Sequence, residues 1–157
     1  ITDSLVGSEM CIRDREIKAP STQHATCVDI KGFGVLIVGD TGSGKSGLAI
    51  GLIALGASLV ADDQCEILFE NDKLHVSKPK SLPECIEMRG IGLVSVPTVL
   101  RAQLKWVVDM DRVAEERMPE FKFTDISGHR VPTIFAKNMD DLPFRIYVVA
   151  CNELSEF

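Results

Sequence analysis

The clearest chemical pattern in this 157-residue sequence is Gly39-Asp40-Thr41-Gly42-Ser43-Gly44-Lys45-Ser46, which matches G-x-x-x-x-G-K-[ST]. Glycines at this spacing let successive backbone N–H groups curl around phosphate oxygens, where a Cβ would obstruct them. Lys45 adds a point charge for β- and γ-phosphates, and Ser46 offers a hydroxyl to Mg²⁺. The rival reading is a glycine-rich turn with no ligand. A second candidate is the acidic pair Asp62-Asp63. One carboxylate can hold Mg²⁺ or its water while the other accepts a proton from an attacking hydroxyl. Without the glycine-rich loop, the same pair would read as a solvated acidic turn.

These groups need particular elements to position them. Gly34 to Val38 is a short apolar run, as in a strand buried on both faces. A helical stretch follows from about Lys45 to Leu55, and Gly56 is placed to end it. The helix would bring its N-terminal dipole to the phosphates. Ser58 to Ala61 reads as a second buried strand, so strand, helix and strand form a βαβ unit with a right-handed crossover. In that unit the acidic pair stands at the carboxyl end of the strand next to the loop's own strand, where open α/β sheets bind ligands.

The rest reads as antiparallel sheet. Ser21 to Ile30 is strand-like up to a Lys31-Gly32 turn, and Cys65–Glu70 with Leu74–Lys78 flank a hairpin turn at Asn71-Asp72-Lys73. Ile86 to Val96 is strand and loop, and Gln103 to Met110 alternates around Trp106, expected in the core. Glu120–Ile126 and Val131–Ala136 flank a Ser127-Gly128 turn. Asp140 to Leu154 reads as a helix with an acidic cap and an early Pro143. The fold class is α/β, a mixed sheet with a βαβ phosphate-loop unit and additional antiparallel strands.

Composition narrows the function classes. Net charge is −6, which disfavours a nucleic-acid partner, and no apolar run approaches a membrane span, Ala49 to Ala61 being broken by Gly51, Gly56 and Ser58. The five cysteines, Cys11, Cys27, Cys65, Cys85 and Cys151, are scattered without C-x-x-C spacing. They read as free thiols in a reducing, cytoplasmic setting. Residues 1–15 lack helix or strand period and a signal-peptide pattern, do not start with Met, and are expected to be a non-native or disordered extension; the catalytic domain is expected to span 16–157.

Four segments together resemble the catalytic domain of bacterial HPr kinase/phosphorylase: His24 in "HAT", "GVLIVGDTGSGKS" (34–46), "LVADD" (59–63) and "IEMRGIG" (86–92). The short layout is similar to the alphaproteobacterial branch. The resemblance implies a phosphoenolpyruvate carboxykinase-like fold, ATP held by Gly39 to Ser46, and Mg²⁺ bound by Ser46 and Glu87, beside the Asp62 already noted. It implies Asp63 as the general base toward an acceptor serine on HPr, Lys45 and Arg117 (in "EERMP") as phosphate contacts, and His24 beside them. Arg112 is a rival for Arg117. His24, from its own surroundings, serves equally as a strand histidine. A homo-hexamer and a part in regulating carbon or nitrogen metabolism are also implied.

One stretch departs from the family. The late loop associated with phosphorolysis carries glycine and arginines before an Asn, and here only Lys137 and Asn138 match it. Kinase activity is therefore expected ahead of the reverse reaction. Two alternatives stay open: a small-molecule kinase or generic NTPase, and a non-catalytic nucleotide sensor.

Overall fold

The computed structural model describes residues 20–152; the extension expected at 1–15 lies outside them. Among the described residues, eleven strands and two helices follow one another. The strands are β1 Ser21–Gln23, β2 Thr26–Ile30, β3 Phe33–Val38, β4 Ser58–Ala61, β5 Cys65–Glu70, β6 Lys73–Ser77, β7 Cys85–Met88, β8 Gly92–Ser95, β9 Arg101–Asp109, β10 Lys122–Ile126 and β11 His129–Phe135. The helices are α1 Lys45–Ala54 and α2 Leu142–Cys151.

The main sheet runs β1-β5-β6-β9-β3-β2-β4, with β11 joining β9 and β10 joining β11. β7 and β8 form a separate hairpin. The loop strand β3 is buried on both faces as its apolar run requires. Val35 and Ile37 enter a core roofed by Leu48, Leu52 and Ile146 of the helices, while Leu36 enters a second core. That second core draws on β2 to β6 and β9 to β11 but on neither helix, so the sheet curls to cover it with its own strands. Trp106 packs against the helix-side core, as expected.

The expected βαβ unit needs correcting. β4 is not beside β3: β2 lies between them, antiparallel to both. The cause is local. A tight turn at Lys31 (φ 51) and Gly32 (φ 92) folds β2 directly onto β3 and takes the neighbouring slot. The crossover through α1 must therefore reach one strand further. The strand-like stretch from Ser21 is also two strands, because β1 pairs with β5 while β2 pairs with β3 and β4. Nor are all the later strands antiparallel: β9 runs parallel to β3, and β11 parallel to β9. The hairpins β5–β6 and β10–β11 form as read.

α1 ends where Gly56 was expected to stop it, with Gly56 N–H to Ile53 O (3.0 Å) and Ala57 N–H to Leu52 O (3.0 Å) closing the last turn. α2 lacks the expected acidic cap. Asp141 takes a left-handed conformation (φ 53) and its side chain bonds no helix N–H. The two helices touch at Gly51, where a Cβ would stand 2.6 Å from Pro143 Cγ.

Gly51→Ala gains about 1 kcal/mol of helix propensity but overpacks a rigid proline at a cost of about 1–3 kcal/mol. The expected net effect is destabilisation in urea unfolding. Gly47→Ala, with open space around it, should stabilise instead. Burial, followed by the charge of Asp62, pushes the Cys65 thiol up to about 12, and burial also raises Cys27. Both thiols ionise more readily once unfolded, so their contribution to stability is whole below about pH 9 and falls as pH rises toward 12. Peptide mapping after alkylation at pH 8 should find the partly buried Cys85 and Cys151 modified well before Cys27 and Cys65.

Candidate active site

The loop after β3 is held from inside and outside. Lys45 is buried, and its ammonium donates to Gly39 O (2.8 Å) and Asp40 O (3.1 Å), spanning the loop from its far end to its first residues. Ser43 N–H also returns to Asp40 O at 3.0 Å. A Cβ on Gly39 would meet Ser43 Oγ at 2.5 Å and Met110 Cβ at 3.0 Å, so this tight curl needs glycine there. The ladder of α1 begins with Leu48 N–H to Gly44 O (3.0 Å), which leaves the amides of Lys45, Ser46 and Gly47 outside it. Free amides, a helix dipole and an adjacent ammonium together make an anion site.

On one side of the loop, Ser46 Oγ donates to Asp62 Oδ1 at 3.2 Å, and Thr26 Oγ1 donates to the same oxygen at 3.1 Å. Asp63 follows at φ 73, with Gln64 N–H returning to Asp62 O (2.9 Å) around it. Three-residue turns with this sign of φ are rare and strained, and such strain concentrates at functional sites. The turn sends the neighbouring carboxylates different ways. Asp62 meets α1, whereas Asp63 Oδ1 lies 3.6 Å from His24 Nδ1, both side chains being largely exposed (72% and 53%).

On the other side, both Asp111 oxygens receive the Asp40 N–H, at 2.9 and 3.1 Å, while Asp111 N–H donates to Asp109 Oδ1 at 2.9 Å. Lys137 N–H is bonded to Arg112 O (2.9 Å), which sets Lys137 and Asn138 beside Asp40, Thr41, Ser43 and Asp111 around a pocket of about 340 Å³.

The structure thus brings together Gly39 to Ser46, Asp62, Asp63 and His24. Glu87 stands exposed on β7, and among the described residues no hydrogen bond or ion pair joins it to Ser46 or Asp62. Arg117 is exposed between β9 and β10, without an ion pair among the described residues. Its rival Arg112 has its Nε 3.7 Å from Asp109 Oδ2 and its guanidinium over Phe135. The hydroxyl of Ser46 and the carboxylate of Asp62 are hard oxygen donors, the kind Mg²⁺ takes, so the residues present fit that ion. Thr26, Asp109 and Asp111 were not read from the sequence. The first two are buried or half-buried parts of strand runs, and Asp111 reaches the loop only because β9 pairs with β3.

Residues 15–117 match the family model described as the HPr Serine kinase C-terminal domain. The chain belongs to this family. Relatives described as HPr kinase/phosphorylase include one from Enterococcus faecalis, 32% identical over 88% of this chain and 50% of its own length. Another, from a Thermoanaerobacter species, is 42% identical over 73% of this chain and 39% of its own. The chain therefore spans half or less of these curated relatives. Among solved structures, the HPr(Ser) kinase/phosphatase from Coxiella burnetii superposes with a TM-score of 0.71 at 30% identity, covering 84% of this chain and 89% of that one.

Asp111→Ala removes the acceptor of the Asp40 N–H. Amide exchange at Asp40 is expected to quicken about tenfold, the loss of one charge-assisted hydrogen bond, while Asp111→Asn keeps most of the protection.

Proposed function

We propose that this chain is the catalytic domain of an ATP- and Mg²⁺-dependent kinase that phosphorylates a serine of the phosphocarrier HPr. The observation that carries the reading is the continuous set Lys45–loop–Ser46–Asp62–Thr26–Asp63, ending on an exposed carboxylate beside His24. The family membership supports the class of reaction.

Phosphoryl transfer needs positioning and charge neutralisation more than covalent chemistry. The free amides of α1 and the loop glycines bind phosphate oxygens, and Lys45, braced on two carbonyls, supplies a fixed positive charge with little left to reorganise. Ser46 and Asp62 would hold Mg²⁺, which supplies further neutralisation of phosphate charge when bound; Glu87 is the third residue assigned to it. Asp63 accepts the proton of the acceptor hydroxyl and, in reverse, returns it. Its exposure favours a macromolecular acceptor, because a serine on a protein surface can reach it without entering a cavity. Arg117 joins as a second phosphate contact, carried by its exposed segment.

Lys137 and Asn138 favour one secondary reading, since they line the same pocket as Asp40 and Thr41. A cation there suits inorganic phosphate, and a phosphorolysis half-reaction would draw on it. A cytoplasmic homo-hexamer acting in carbon or nitrogen regulation completes the proposal.

Incubation with MgATP and purified HPr is expected to place one phosphate on a serine, read by mass spectrometry. Asp63→Asn should lower the rate by about 10²–10⁴-fold, the span of general-base contributions. Nucleotide binding without modification of HPr would favour a small-molecule acceptor or a silent sensor.

A further inference from the structure

Thr26 is one of the few polar residues of the core, 1% exposed, and although it links Asp62 to Asp63 no step of the transfer above is assigned to it. Its hydroxyl spans both members of the acidic pair, 3.1 Å from Asp62 Oδ1 and 3.4 Å from Asp63 N. A hydroxyl carries one proton and two lone pairs, so it can donate to the carboxylate and accept the N–H at once. Its register makes this possible. β2 and β4 pair Val28 with Leu59 but Cys27 with Ala61, so a bulge at Val60 inserts one residue. Continuing that ladder puts Asp62, rather than Ala61, opposite Thr26. Bulges commonly re-aim side chains in this manner next to active sites.

We propose that Thr26 is the positioning residue that holds two adjacent carboxylates in different roles. Asp62 Oδ1 accepts hydrogen bonds from both Thr26 and Ser46, which fixes the carboxylate's rotation and leaves its second oxygen bonded to neither hydroxyl. Through the Asp63 N–H, the same hydroxyl secures the strained turn that directs Asp63 toward His24. The inference rests on the nucleotide-dependent phosphotransfer reading and adds to it a residue that touches neither phosphate nor acceptor.

The test uses the full chain with Thr26→Val, which deletes the hydroxyl, and Thr26→Ser, which keeps it. A fluorescent ADP is titrated in EDTA and across a Mg²⁺ series, and HPr phosphorylation is followed in parallel. In Thr26→Val, affinity in EDTA should stay within about twofold, while the Mg²⁺ needed for half-maximal enhancement rises about 10–100-fold, as for other groups that orient a metal ligand. kcat should fall over a similar range with KM for HPr little changed, and Thr26→Ser should return both readouts to within about threefold of the parent. A Thr26→Val protein with the parent's Mg²⁺ requirement overturns the proposal. So does a Thr26→Ser protein as impaired as Thr26→Val, which assigns the effect to packing of the methyl. If Thr26→Val does not fold, Thr26→Cys, of similar size with a weak donor, carries the same comparison. A parent protein that binds no nucleotide overturns the phosphate-loop reading itself; a parent that binds while Thr26→Val matches it overturns only the role of Thr26.

Discussion

The parallel pairing of β3 with β9 carries the site. Val38 lies beside Asp109, and the ladder runs one step past the strand ends through Met110 N–H to Val38 O at 2.9 Å. Two chain segments therefore leave the sheet together, one as the glycine-rich loop and the other as Met110-Asp111. The first can curl only because the second backs it: Met110 packs under Gly39 and Asp111 takes the Asp40 N–H. The Gly39–Asp40 peptide is thereby held on both sides, its N–H by Asp111 and its carbonyl, Gly39 O, by Lys45. A loop rich in glycine has many conformations to lose, and this outside brace restricts it to one.

On the opposite flank the controlling element is the β2–β3 hairpin. By occupying the slot next to β3, it moves β4 one strand outward and interposes Thr26 between the loop and the acidic pair. Asp62 still reaches Ser46 because the strand bulges just before it. The acidic pair thus owes its geometry to β2 as much as to the strand that bears it.

This explains which features the sequence disclosed. The loop, its helix, the Gly56 stop and the hairpins at Asn71-Asp72 and Ser127-Gly128 were legible because each depends on neighbours a few residues away. The family was legible for a related reason: four short motifs carry it, and the match over residues 15–117 contains all of them. Strand order was not, since the apolar run at Gln103–Met110 reads the same whether it pairs parallel or antiparallel. Asp111 stands just past the end of the Gln103–Met110 run, and Thr26 reads like any polar residue in a strand. Their roles come from contacts with residues 71 and 36 positions distant, beyond what local pattern encodes.

The same long reach has a consequence for how the molecule comes to exist. Hairpins such as β5–β6 can form as soon as their residues are made, but β3 pairs with β9 only when Phe33 meets Gln103. Contacts so far apart in the chain close late, because loop entropy must be overcome before they bring any gain. During synthesis the glycine-rich loop therefore emerges long before its brace. For that interval its strand, apolar on both faces, lacks one of its neighbours. An unpaired edge of this kind is where a nascent chain invites the wrong partner, so the slowest step in building the site is also the one most exposed to error.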